Sequence, residues 1–321
     1  MNSAYSQQDN IFVYRVLNTN KQIFNNFPTT ITWTKTKTAG EIVDTWTNIT
    51  LASTLDCGSI TALNYANKLN MFAVGVIAVA ISTIMYPILS KLASEGNIKF
   101  FKRNLSKSIN IIVIIMLPIM AIMTTFSTEI VKVLFENGSF NSHDTYLTST
   151  ALFFYSIGIL AYGLKELLAK SFYSLQDTKT PVRNATISVF INFILSIVLV
   201  RIMGIGGLAL GSSISAMVTT GLLLISLRKK IGKLGYSYIL FTFVKVSIAS
   251  IIMFITMRFT YYLVFNYGCE FILTSRKVIA FKGFISLVLG MAIYLIVVLL
   301  LNVKEVKDIF NTIVYKIKNI L

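Results

Sequence analysis

Thr61, Asn64 and Lys68 recur at spacings of three and four residues in GSITALNYANKLN (58–70), so a helix stacks them on one face, with Tyr65 adjoining and Asn67 off to the side. An ammonium beside amide and hydroxyl donors suits an anionic, hydroxyl-rich ligand such as a phosphate joined to a sugar. The plainer reading is a helix-end anchor. Lys68 stands just ahead of the apolar run MFAVGVIAVAISTIMYPIL and can snorkel outward, avoiding the cost of about 2.5–3.5 kcal/mol for an uncompensated Lys at mid-bilayer. Snorkelling needs one Lys, however, and not a polar stripe. A second cation, Lys165 in GILAYGLKELLAKSF, falls in the inner half of another apolar run. Glu166 can pair with Lys170 one turn on, whereas Lys165 points elsewhere on the helix and is the second candidate for a cavity wall.

Other chemistries lack their residues. Membrane glycosyltransferases, phosphatases and proteases need paired carboxylates, metal ligands, or a nucleophile with its base at one depth. The 13 acidic residues are scattered mostly between apolar runs, and the one His, His143, lies in the polar stretch ENGSFNSHDT and reads as solvated. Cys57 and Cys269 make neither a disulfide framework nor a metal cluster. The sequence therefore predicts no enzyme, no metal and no organic cofactor.

The elements that must hold these residues follow from bulk composition. With 55% hydrophobic residues, 13% charged ones and a mean hydropathy of +0.72, the chain reads as an all-α, polytopic membrane helix bundle. Seven apolar segments are long enough to span: 69–92, 109–135, 146–172, 184–203, 206–227, 237–263 and 279–302. An eighth, 42–57, carries Glu41, Asp44, Asn48 and Asp56 at or within its bounds, so it should face protein or water, giving about eight transmembrane helices. Pro87 and Pro118 predict kinks inside two of them. In GIGGLALGSSISA (204–216), Gly207, Gly211 and Ser215 at four-residue spacing predict a close-packing face.

The formal charge of +16 could suggest nucleic acid, but Lys and Arg cluster in the short segments between spans. With residues before 42 placed in the cytoplasm and eight spans, 21 of the 29 fall inside, seven outside, and Lys245 lies within a span. That bias predicts a plasma-membrane protein with both termini cytoplasmic and the bilayer, not nucleic acid, as partner. Residues 1–41, with Thr at 30, 32, 34, 36 and 38, are set apart as a poorly ordered or non-homologous tract. Residues 303–321 predict a basic amphipathic helix on the cytoplasmic surface.

Four ordered motifs then carry a resemblance. GSITALNYANKL with the following GVIAVAISTIMYPILSKLAS, VLFENGSFNSHDT, KSFYSLQDTKTPVRNA and GIGGLALGSSISA together resemble the MurJ/MviN lipid II flippase family, closely over about 48–235 and more loosely through the last two spans. The resemblance implies the C-terminal part of a fourteen-helix transporter of the multidrug/oligosaccharidyl-lipid/polysaccharide exporter superfamily. Residues 42–235 would be its second six-helix lobe and 236–302 its two additional helices. The implied substrate is undecaprenyl-pyrophosphate-linked peptidoglycan precursor, carried from the inner to the outer leaflet by alternating access. Lys68 stands where the family usually has a cavity Arg, and Asn67 where it often has Asp. A Lys keeps the charge but loses the bidentate fork. Asn48 falls where a family Asp is common, so a monovalent cation, if bound, would take oxygens from Asn48, Asn192, Ser196 and Ser212. Alternating access needs two lobes. The first has no counterpart in this sequence, so the expectation is a truncated or frame-disrupted flippase, or one half of a split transporter with a first-lobe chain as partner. The alternatives are a polysaccharide-unit or drug exporter of the same superfamily, and an inactive remnant or membrane scaffold.

Overall fold

A bilayer offers backbone groups no water, so each apolar run must satisfy its own N–H and C=O groups, and a helix does so within one segment. In the computed structural model, which describes residues 50–55, 58–267, 276–303 and 305–307, all the regular structure is helical. Ten α-helices follow in order: α1 (Ser59–Val74), α2 (Ala80–Ser94), α3 (Ile98–Thr125), α4 (Ser127–Phe135), α5 (Ser142–Ile157), α6 (Ile159–Ser174), α7 (Lys179–Met203), α8 (Ile205–Ile231), α9 (Tyr236–Tyr267) and α10 (Arg276–Leu300). Six helices are long and apolar enough to cross a membrane, and the bent pair α5–α6 makes a seventh. The candidate segment 42–57, apart from 50–55, lies outside the described residues. So do the tract 1–41 and nearly all of the tail helix expected over 303–321.

The segment expected at 69–92 begins a good two turns earlier. Ser59–Ser94 is one 36-residue run in which α1 and α2 are joined by a π-helical turn, Gly75–Val79, so the polar stretch 58–70 forms the first third of the membrane helix itself. Pro87 and Pro118 sit inside the uninterrupted helices α2 and α3. The segment expected at 109–135 divides at Phe126 into α3 and α4.

The span expected at 146–172 bends by 50° at Gly158. A Cβ there would lie 2.8–2.9 Å from Ser213 of α8, so only glycine lets α8 approach. Ser213 Oγ donates to the carbonyls of Phe154 (2.7 Å) and Tyr155 (3.3 Å), acceptors in the last turn before the bend. Break and partner thus come as a pair.

Two apolar cores hold the bundle. In one, Leu89 of α2, Ile112 and Met116 of α3 and Leu167 and Leu168 of α6 join Val246, Ala249 and Met253 of α9. In the other, Ala62, Leu63 and Ala66 of α1 pack with Leu147, Ala151 and Leu152 of α5 and Leu208 and Ala209 of α8. The hairpin α7–α8 turns on Gly204 at φ +55° and closes so tightly that a Cβ on Gly207 would lie 2.2 Å from the Leu199 carbonyl oxygen.

Candidate functional site

Small residues and polar ones divide α1 between two faces. Ser59, Ala62, Ala66, Asn70 and Ala73 are buried, while Thr61, Asn64, Asn67 and Lys68 on the other side are exposed. The alanine face lets α1 lie close on α5, and that contact fixes which way the opposite stripe points. Thr61, Asn64 and Lys68 do share a face, as their spacing predicts. Among the described residues the Lys68 ammonium has no carboxylate partner; its one contact is the Tyr65 ring, 5.7 Å from Nζ to the centroid.

Tyr65 is the only half-buried member of the set. Its ring meets Phe135 at 4.8 Å and Phe140 edge-on at 6.0 Å, so it is held by the end of α4 and the loop that follows. That loop is VLFENGSFNSHDT, and its residue types have mechanical reasons. Gly138 turns the chain at φ +60°, and Asn141 Oδ1 accepts from the backbones of His143 and Asp144. Asp144 Oδ2 accepts in return from the Asn141 backbone, closing a capping box at the start of α5. Asp144 Oδ1 also lies 3.2 Å from where a Cβ on Gly58 would stand. The first two motifs therefore meet in space, and Tyr65 positions the stripe more than it lines it.

Lys165 is half-buried and has no ion pair or hydrogen bond among the described residues. Lys170, expected only to pair with Glu166, does so at 3.6 Å but also donates to Ser82 Oγ (3.1 Å) and Thr83 Oγ1 (2.9 Å) of α2. It ties α6 to α2 between the π-turn and Pro87. Its reach across 88 residues of chain leaves no local signal, since only the Glu166–Lys170 spacing is visible in the sequence.

Of the four oxygen donors named for a cation, Asn48 lies outside the described residues. The structure does bring the other three together: Ser196 Oγ and Ser212 Oγ both donate to Asn192 Oδ1, at 3.3 and 3.5 Å. They belong to a buried polar ladder along α7 and α8. Asn184 donates to Ser226, Ser215 Oγ donates to the Ser188 carbonyl at 2.8 Å, and the Ser188 and Ser215 hydroxyls lie 2.6 Å apart. Every fourth residue of α7 from 184 to 196 joins this ladder, so the arrangement works as interhelical glue whatever else it does.

At the other end of that hairpin, Asp177 accepts from the Thr180 backbone and hydroxyl (3.0 and 2.8 Å) and from Lys230 Nζ at 2.6 Å. The Lys230 hydrogen bond, then the Thr180 backbone, hold its carboxyl down at about 2, below the ordinary 3.8. The motif D-T-K-T-P thus starts α7 and pins it to the C-terminus of α8.

Known proteins resemble this chain in sequence and in fold. A family model described as "Lipid II flippase MurJ" matches residues 7–281, starting well upstream of Asn48 and reaching into the Thr-rich tract. A probable lipid II flippase MurJ of Rhizobium tropici is 31% identical over 173 residues, which are 54% of this chain and 32% of that protein. One from Vibrio cholerae is 34% identical over the same share of this chain and 33% of its own length. The lipid II flippase MurJ of Burkholderia cenocepacia is 31% identical over 57% of this chain and 36% of its own. A solved structure of a lipid II flippase MurJ in an inward closed conformation superposes with a TM-score of 0.68 at 26% identity, covering 90% of this chain and 60% of that one. The chain thus spans about a third of the length of the curated relatives it matches.

Proposed function

The chain belongs to the lipid II flippase MurJ family, and on that premise we propose that it supplies the second lobe of a transporter that moves undecaprenyl-pyrophosphate-linked peptidoglycan precursor from the inner to the outer leaflet. In this reading the exposed face of α1 is part of the substrate path. The observation that carries it is Lys68: an exposed ammonium without an anionic partner among the described residues, on a helix whose opposite face is sealed against α5. A pyrophosphate would supply the missing anion, with Asn64 and Thr61 as neutral donors to phosphate or sugar oxygens. Tyr65 would keep Lys68 and Asn64 at a fixed height through its aromatic clasp. Lys165 is a second cation on the path. Asn192, Ser196 and Ser212, with Asn48, are proposed as oxygen donors to a monovalent cation only secondarily, because their hydrogen bonds already account for their positions. Moving a lipid between leaflets makes and breaks no covalent bond, so in this reading the protein acts as a transporter and not as an enzyme.

Transport by rocking requires a first lobe facing α1. The test is therefore growth rescue in a flippase-depleted bacterium by this chain co-expressed with the first lobe of a relative. Lys68→Arg should rescue and Lys68→Ala should fall by about tenfold or more in plating, the worth of one charged hydrogen bond to phosphate. Equal rescue by Lys68→Ala, with equal amounts of protein in the membrane, would remove Lys68 from the mechanism.

A further inference from the structure

Beyond α10 the chain turns back into the protein and buries a carboxylate. Glu305 is 8% exposed and Asn110, on α3, is 0% exposed. Asn110 Nδ2 donates to Glu305 Oε1 at 2.6 Å, and the Tyr238 hydroxyl of α9 donates to the same oxygen at 2.7 Å. The second carboxylate oxygen, Oε2, is buried with no hydrogen-bond partner, and Asn110 Oδ1 is buried and unpartnered too. One contact thus leaves two acceptors unmatched, one of them on an ionisable group. A native interior seldom tolerates this, since each unmatched group forfeits its hydration.

Among the described residues the cations nearby are committed elsewhere or exposed. Lys245 of α9 donates to the Leu301 carbonyl and lies over the Phe241 ring, and Lys307 donates to Asn302 Oδ1. Arg103 and Lys107 of α3 are exposed. Tyr238 is the titratable group that α9 turns toward the carboxylate, and it already donates to Oε1. Among the described residues no Lys or Arg forms an ion pair with Glu305.

We propose that Glu305 and Asn110 form a binding site for one monovalent cation, either a proton or an alkali-metal ion, taken up by Glu305 Oε2 and Asn110 Oδ1. A proton on Oε2 turns that oxygen into a donor for which Asn110 Oδ1 is a ready acceptor, completing an acid–amide pair. An alkali-metal ion would use the same two oxygens as ligands. Either neutralises a carboxylate that is otherwise buried and unpaired. Because the pair joins α3, α9 and the chain after α10, its occupancy sets how firmly the segment beyond α10 docks.

The test needs no transport activity, so its outcome is independent of the substrate reading. The full chain in lipid nanodiscs is unfolded thermally across a sodium or potassium series, with choline holding ionic strength constant, and then across neutral to mildly acidic pH in choline alone. The midpoint should rise by a few degrees in one of the series. A rise with the metal assigns the alkali-metal ion, and a rise with acidity assigns the proton. Glu305→Gln should abolish the rise. Should that variant not fold, Asn110→Ala must weaken the response to the same cation severalfold. No rise in either series overturns the proposal, as does a rise that Glu305→Gln retains or a response that Asn110→Ala leaves unchanged.

Discussion

Tyr65 and Lys68 are neighbours with opposite jobs, and substitutions separate them. Tyr65→Phe keeps the ring between Phe135 and Phe140 and should leave stability within about 0.5 kcal/mol. Tyr65→Ala removes two ring contacts and a half-buried side chain, and should cost about 2 kcal/mol in denaturant unfolding. Asp177 gives a prediction with a pH sign. Its carboxyl titrates at about 2 in the folded chain and at 3.8 as the free group, so its stabilisation is complete above the unfolded value and is lost as pH falls through about 2. Asp177→Asn should therefore be less stable by about 1 kcal/mol near neutral pH, allowing for the solvent exposure of Lys230. The melting curves of variant and parent should converge below about pH 2. A gap of the same size that persists there would mean that the loss does not come from the carboxylate charge.

Helices, unlike their partners, leave a signature in one dimension. The seven apolar runs, the face of Gly207, Gly211 and Ser215, and the stripe on α1 were all legible because hydrophobic length and a 3.6-residue period are local properties. What met each face was not. Asn192, Ser196 and Ser212 were named only as oxygen donors for a cation; their mutual hydrogen bonds depend on α7 and α8 lying at backbone contact, which the sequence does not display. The bend at Gly158 escaped notice because the sequence around it, FFYSIGILAYG, is as apolar as a straight span, and its cause, Ser213, is 55 residues away. The π-turn Gly75–Val79 has no residue type of its own to announce it. At this scale Gly207→Ala should be among the costliest single changes. Its Cβ would meet the backbone of Leu199 at 2.2–2.4 Å, which no rotamer relieves, so a loss of about 3 kcal/mol or more is expected from thermal unfolding. Gly221→Ala, with nothing within 4 Å of the new Cβ, is the control and should be neutral or stabilising by about 0.5–1 kcal/mol.

Over the whole molecule, the basic residues and the loop contacts describe the same polarity. Lys102 approaches Gly232, Ser106 donates to the Leu234 carbonyl, Lys230 holds Asp177, and Lys245 caps the end of α10 through Leu301. All of these gather the basic segments around 99–107, 179–183 and 228–233 at one end of the helices. The loop 136–141, with Tyr65 and Gly58 beside it, is at the far end of α3 and α4 from them. From the positive-inside bias we propose that the basic end lies in the cytoplasm and the aromatic clasp outside, which would put Lys68 toward the outer end of its helix. Single cysteines test this in a background with Cys57 and Cys269 changed to Ser. Ser139→Cys, exposed in the loop, should react with a membrane-impermeant maleimide added to intact spheroplasts, and Ser94→Cys, exposed at the end of α2, only after the membrane is opened. The reverse pattern would invert the topology. Lys68 would then stand on the cytoplasmic side, so that the proposed pyrophosphate substrate would meet it on loading and not, as the proposed orientation has it, on the way to release.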